Sequence, residues 1–277
     1  MKNTYTLFAL IFLLVQISFA QKLKLTSRKA AALTGTAFAN SISDSTLSLA
    51  EREKIIYQEI KNGNVPDFLR KLSLVEYELS IEGIKYKVSY FSLPDYMAIG
   101  GNDDYFYIPM TPILAQRVAN LLKCSLPTKK IVDLIDEQAK IKLAPNPIPP
   151  TKAMTTVPVF ITHNLMIRQQ LVPYITRHNQ SELTSGNKKD IIVSNKIYTE
   201  KTPKVVIYGW HQLNGKAIQP VYNKHSNTWA DYSHGVRLIQ NKIIINNKKT
   251  TLQKVLADRK LCVLLSDEGV IEKAFYP

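Results

Sequence analysis

The chain has 277 residues, 45% of them hydrophobic, with 36 Lys+Arg, 22 Asp+Glu and 2 cysteines. After the first residues no segment approaches the roughly twenty apolar positions needed to cross a bilayer, so no transmembrane helix is expected. With the leader lysine set aside, 35 basic residues against 22 acidic leave +13, and in an exported protein that charge points to anionic glycans, cell-wall polymers or headgroups rather than nucleic acid.

Residues 1–20 read as a secretory signal peptide: Lys2, an apolar run from Leu7 to Phe19 broken by Gln16, and small residues Ser18 and Ala20 before Gln21. The expected mature protein begins at Gln21 and is periplasmic or extracellular. Residues 21–46 are small, polar and unpatterned, and read as an extended lead-in to a single α+β domain over 47–277. Ser48 and Glu51 form an S-x-x-E capping box for a helix that ends at Asn62-Gly63, and Pro66 opens a short second helix. From Val75 to Tyr90 the period becomes two, with a reversal at Glu82-Gly83, glutamates exposed on one strand and lysines on the other. This predicts a hairpin whose charge pairs set its register.

A glycine-rich turn (Gly100-Gly101-Asn102-Asp103-Asp104) precedes an aromatic strand, and Thr111-Pro112 then opens a helix. A second helix begins near Thr128. Pro145, Pro147, Pro149 and Pro150 mark a rigid strap over the surface rather than a linker, because neither half of the chain makes a complete core alone. Val157 to Ile161 reads as a buried strand, followed by a short helix that Pro173 ends. Strands are expected at DIIVSN, KVVIY, AIQPVY, Tyr232 to Leu238, and across a turn at Asn246-Asn247, with a short helix LQKVLAD and a last strand LCVLL. The expected architecture is a mixed, mainly antiparallel sheet with an N-terminal helical portion.

The candidate chemistry is concentrated between Lys204 and Leu238. His211, His225, Asp231 and His234 are ligand types for a divalent metal such as zinc, although their spacing matches no established zinc motif. On an extended chain Asp231 and His234 would face opposite ways, so both can act together only if the chain turns at Ser233. The same residues serve a metal-free mechanism: His234 as general acid or base, Tyr232 as proton donor, and Arg237 as the clamp on a carboxylate or phosphate. His211, His225, Asp231, Tyr232 and His234 are therefore the catalytic candidates. Trp210 and Trp229 offer sugar-stacking faces, while His163, Asn164, Lys188 and Lys189 lie where binding residues are found beside strand ends. For each there is a plainer reading: Tyr232 as core, Arg237 paired with Asp231, His163 and Asn164 explained by a Thr162 helix cap, the lysines solvated.

A glycosidase pair of carboxylates would have to come from Asp190, Asp231 or Asp103-Asp104, and the last pair lacks the spaced ligands of a calcium loop. A Ser233-His234-Asp231 triad is disfavoured, because sequence neighbours cannot face each other on a strand and no nucleophile elbow is present. Cys124 and Cys262, in an oxidising compartment, are expected to pair or to remain inert thiols; a nucleophilic Cys124 is disfavoured by Pro127, which separates it from the helix at Thr128.

The strings GWHQLNG, AIQPVY and DYSHGVRL, with GNVPDFLR upstream, resemble an uncharacterised family of secreted bacterial proteins. The resemblance spans most of the mature chain and implies export and one compact domain, with no activity attached. The residues themselves lead to an exported hydrolase or lyase acting on a cell-surface or extracellular polymer, a glycan favoured, with a non-catalytic glycan-binding or envelope protein as the alternative.

Overall fold

The computed structural model describes residues 21–277, so the expected signal segment lies outside the described residues. The lead-in is not wholly extended. It contains helix α1 (Gly35–Ser41), whose Thr34 side chain accepts from the Ala37 amide and whose Phe38 is buried. The element is too short to display a period. Its first residue must be glycine, since a Cβ at Gly35 would lie 2.3 Å from the Tyr105 backbone. Helix α2 (Leu49–Lys61) carries the expected capping box, with Ser48 and Glu51 satisfying each other's amides, and α3 (Asp67–Arg70) follows Pro66.

Strands β1 (Ser73–Ile81) and β2 (Ile84–Ser92) form the predicted hairpin. Glu82 at φ 49° and Gly83 at φ 81° take the paired left-handed conformation of a tight two-residue turn. Lys85 reaches Glu78 at 2.6 Å and Lys87 reaches Glu76 at 2.8 Å across the exposed face. On the other face Val75, Val88 and Tyr90 are buried. A small antiparallel pair, β3 (Ala98–Gly100) and β4 (Tyr105–Tyr107), flanks the glycine-rich turn, and helices α4 (Pro112–Leu121) and α5 (Lys129–Gln138) start at the Thr111 and Thr128 caps, with β5 (Cys124–Ser125) between them.

After β6 (Ile141–Lys142) the proline strap runs without regular structure to a short 3-10 turn (Lys152–Thr155) that leads into helix α6 (Val157–Leu171). This corrects the strand expected at 157–161. Val157, Phe160, Asn164, Ile167 and Leu171 are buried at helical spacing, and Pro158 is tolerated in the first turn, where its missing N–H has no partner to lose. Then come α7 (Ile175–Asn179), β7 (Thr184–Ser185), β8 (Lys189–Ile191), β9 (Ile207–His211), β10 (Ala217–Tyr222), β11 (His234–Gly235), β12 (Ile239–Ile245), β13 (Lys248–Thr251), α8 (Leu252–Ala257) and α9 (Cys262–Leu265). The expected last strand LCVLL is α9, and the strand expected through Tyr232 to Leu238 shrinks to β11.

Two sheets organise this α+β domain. In one, the order is β1-β2-β12-β13 with β5 also on β12, all antiparallel. In the other, the order is β10-β9-β8-β11, antiparallel except that β11 runs parallel to β8. One apolar core unites residues from Leu23 to Tyr276. Both cysteines are buried free thiols, the second of the two expected states, and burial pushes Cys124 up to about 12, away from thiolate chemistry at neutral pH. Among the described residues no helix is long and apolar enough to cross a membrane.

Candidate functional site

The second sheet assembles the site because its short strands alternate charged residues between the two faces. On β8 and the residue before it, Lys188 and Asp190 point one way and Lys189 the other. On β9, consecutive left-handed residues Gly209 (φ 103°) and Trp210 (φ 55°) twist the strand. A bulky residue is strained in that conformation, and the Trp210 ring lies beneath the ammonium of Lys189, 5.2 Å from its centroid. The chain before β11 turns rather than extends. His234 N–H donates to the Asp231 carbonyl at 3.1 Å, and Ser233 donates from its amide (2.8 Å) and hydroxyl (2.5 Å) to the Asp231 carboxylate. The turn brings Asp231 Oδ2 to 3.7 Å from His234 Nε2, so the two residues act at one place.

His234 is fully buried, and neither ring nitrogen has a hydrogen-bond partner. Burial pushes it down to about 4, against the opposing pull of Asp231, so near neutral pH the ring is uncharged. Burial pushes Asp231 upward, but His234, the Ser233 hydrogen bonds and Lys189 outweigh it and hold the carboxylate at about 2. Nearer the surface His225 stacks on Trp229, with ring centroids 4.5 Å apart and planes 12° apart, both rings half-buried. Burial also lowers His225 and Lys189, with Asp231 opposing in each case.

A deeper layer lies behind this pair. Lys188 Nζ donates to the Tyr232 carbonyl at 2.5 Å and lies 3.1 Å from His163 Nδ1, and burial pushes the lysine down to about 7. His163 is lowered by burial and by the charge of Lys188, and its Nε2 has no partner, nor has Trp210 Nε1. The proline strap covers this layer. Tyr232 Oη accepts from the Ile148 amide at 2.8 Å and donates to the Ile148 carbonyl at 2.9 Å.

Four expected roles do not fit the geometry. Arg237 is 1% exposed; its guanidinium donates to the carbonyls of Leu93 (3.2 Å), Pro94 (3.0 Å) and Thr184 (2.7 Å), and its Nε is 3.8 Å from Asp190. It ties loops together and cannot clamp a substrate, and its acidic neighbour is Asp190, not Asp231. Asn164 accepts from the Tyr107 amide at 3.0 Å and donates to the Tyr105 carbonyl at 3.3 Å, which fixes β4 to α6. Tyr232 has its hydroxyl committed to the strap, away from any proton transfer. His211 leaves the cluster altogether, its Nε2 meeting Asp133 Oδ1 at 3.0 Å in a separate cleft.

The proposed metal quartet is thereby divided, and among the described residues no three His, Cys, Asp or Glu side chains converge as a metal-binding set. Two of the carboxylates weighed for a glycosidase pair or a calcium loop have structural partners: Asp104 accepts from the Thr36 amide at 3.0 Å, and Asp190 takes the Tyr96 hydroxyl at 2.6 Å. His225, Asp231, His234, Trp210, Trp229, Lys188, Lys189 and His163 do come together.

Asp133 and the buried Asp95, which binds His178, Asn187 and Tyr107, had no signal in the sequence, since each is a lone acid in an ordinary segment. Comparison with family models, curated proteins and solved structures finds no match.

Proposed function

We propose that the protein is an exported hydrolase or lyase acting on an anionic cell-surface or extracellular polymer, a glycan by preference, with His234 as the general acid or base and Asp231 as its charged partner. The observation that carries this reading is the His234 ring, uncharged and buried with both nitrogens unpartnered, 3.7 Å from a carboxylate held ionised. Lys189 takes the anion-holding role first expected of Arg237, because it is only partly buried and stands on the same face as Asp231. Trp229, half-buried and stacked on His225 by one face, supplies the aromatic surface on which a sugar ring packs.

A second reading, a non-catalytic glycan-binding protein, is favoured by the seclusion of His234, which lines none of the principal surface clefts. The purified protein incubated with pectate, alginate, hyaluronan and peptidoglycan sacculi separates the two. New reducing ends or unsaturated uronates that vanish in His234→Gln and Asp231→Asn, with retention on the same polymer unchanged, support the enzyme. Retention lost only in Trp229→Ala, with no product from any variant, supports the binder. No product and no retention on any acidic polymer refutes both.

A further inference from the structure

A cleft of about 390 Å³ lies where the N-terminal segment 21–24 and the α4–β5 connection meet β12 and β13. Lys22, Lys24, Lys123 and Lys242 border it, and among the described residues no carboxylate does. Lysines elsewhere behave differently: Lys85, Lys87, Lys129, Lys142 and Lys204 each reach a carboxylate, whereas none of these four does so among the described residues. The clefts along β1 and beside His211 likewise mix both signs, with Lys71 and Lys140 against Glu137 and Glu182 in one, and Lys142 against Asp133 and Asp136 in the other.

The four lysines come from three segments far apart in the chain, so the fold gathers them and not a local charge run. Backbone pairing fixes the first segment: the Leu23 amide donates to the Arg70 carbonyl at 2.9 Å, and the Leu72 amide to the Gln21 carbonyl at 2.8 Å. Lys242 stands opposite Thr251 in the β12–β13 ladder. Lysines at the edge of a sheet ordinarily guard it against pairing with another chain, but Lys22, Lys24 and Lys123 lie on other segments and border the same space. Charges of one sign gathered in a cleft repel each other and focus a positive potential there. The uncharged polar groups of the wall are turned to match. Gln253 Nε2 donates to the Ser125 hydroxyl at 2.7 Å, which donates to Asn241 Oδ1 at 2.6 Å, so the oxygen is engaged while Asn241 Nδ2 has no protein partner among the described residues. Gln240 Oε1 is buried, and the end of that amide left to the cleft is Nε2. Ammonium and amide N–H groups donate and cannot accept, so a ligand here must bring acceptors and negative charge.

We propose that this cleft binds a segment of an acidic polysaccharide, with Lys22, Lys24, Lys123 and Lys242 receiving its carboxylate or sulfate groups and the Asn241 and Gln240 amides its uncharged oxygens. It is a second site, and it does not rest on the His234 reading. One small anion carries too little charge to offset four ammonium groups, whereas a polymer charged at each repeat meets several at once. Leu23, Leu72 and Leu122 give the cleft an apolar floor for the C–H face of a sugar ring. Among the described residues neither an aromatic side chain nor an arginine lines it, and these are the groups that ordinarily stack on bases and fork onto phosphates, which favours a glycan over nucleic acid.

The test is titration of the purified protein at low salt with fragments of polygalacturonate, heparin and neutral dextran, and with single-stranded DNA. Saturable binding of at least one acidic polysaccharide and none of dextran is expected. Polygalacturonate alone would identify the anion as a carboxylate, and heparin alone as a sulfate. Because any basic protein attracts polyanions, two double variants with the same loss of charge are compared. Lys24→Gln with Lys242→Gln is expected to weaken binding about tenfold or more. Lys152→Gln with Lys260→Gln, at exposed positions outside the cleft, is expected to weaken it by less than about threefold. Equal weakening in the two double variants, no binding of either acidic polysaccharide, or tighter binding of the DNA than of both would overturn the proposal.

Discussion

Arg237 has the chemistry of an anion clamp and none of the freedom. Its guanidinium is spent on three backbone carbonyls and the Asp190 carboxylate, with the Tyr96 ring beneath it at 4.3 Å. Removal of a buried charge leaves its partners without compensation, so Arg237→Met is expected to destabilise the fold by about 3–5 kcal/mol. Urea unfolding measures this, and a midpoint equal to that of the parent would return Arg237 to the list of substrate contacts. The neighbouring lysines make the same point in the other direction. Lys188 and Lys189 are adjacent in sequence, yet strand alternation buries the first between Tyr232 and His163 and leaves the second partly buried over Trp210. Residue type alone does not separate them; the face of the strand does.

At the scale of elements, the β1–β2 hairpin and the capped starts of α2, α4 and α5 follow from local rules, because a turn glycine or a capping hydroxyl acts within a few residues of itself. Helix α6 does not. Its leading residues are β-branched and aromatic, which suits a strand, and helix is chosen only because Val157, Phe160 and Ile167 meet the core on one face. The proline strap is the element on which access to the deeper layer depends. Two hydrogen bonds from one hydroxyl hold Ile148, each of a kind that contributes about 0.5–1.5 kcal/mol. Tyr232→Phe is therefore expected to speed amide hydrogen exchange at Ile148 about fivefold or more while leaving exchange in β1 and β2 unchanged. Unaltered protection at Ile148 would mean that the prolines hold the strap without the tyrosine.

At the scale of the whole molecule, the buried cluster makes stability depend on pH. His234 titrates at about 4 in the fold against an ordinary 6.5, and His163 is lowered further still. As pH falls below 6.5 the unfolded chain takes up protons that the fold excludes, so stability declines with acidification. Asp231, held at about 2 against an ordinary 3.8, adds stability above 3.8 that is lost as pH falls through about 2. Asp190, raised to about 6 by burial with Arg237 opposing, works the other way between about 6 and 3.8. With two histidines against one carboxylate, the urea midpoint is expected to fall between pH 6.5 and 4, and to fall less in His234→Gln. A midpoint constant over that range in the parent protein would show that the rings are protonated without penalty.

Composition, charge, the hairpin, the helix caps and the local grouping of His225, Trp229, Asp231 and His234 were legible in the sequence, because each depends on residue type or on neighbours a few positions away. The α+β class followed from the same local periods. Only the tertiary structure separated His211 from its apparent partners, sealed Arg237 and Asn164 into the scaffold, and set Asp133 and Asp136 across a cleft from the β9–β10 turn. Those outcomes rest on contacts between segments tens of residues apart, where burial and the direction of a side chain, rather than its chemical type, decide whether it meets solvent, a ligand or another part of the chain.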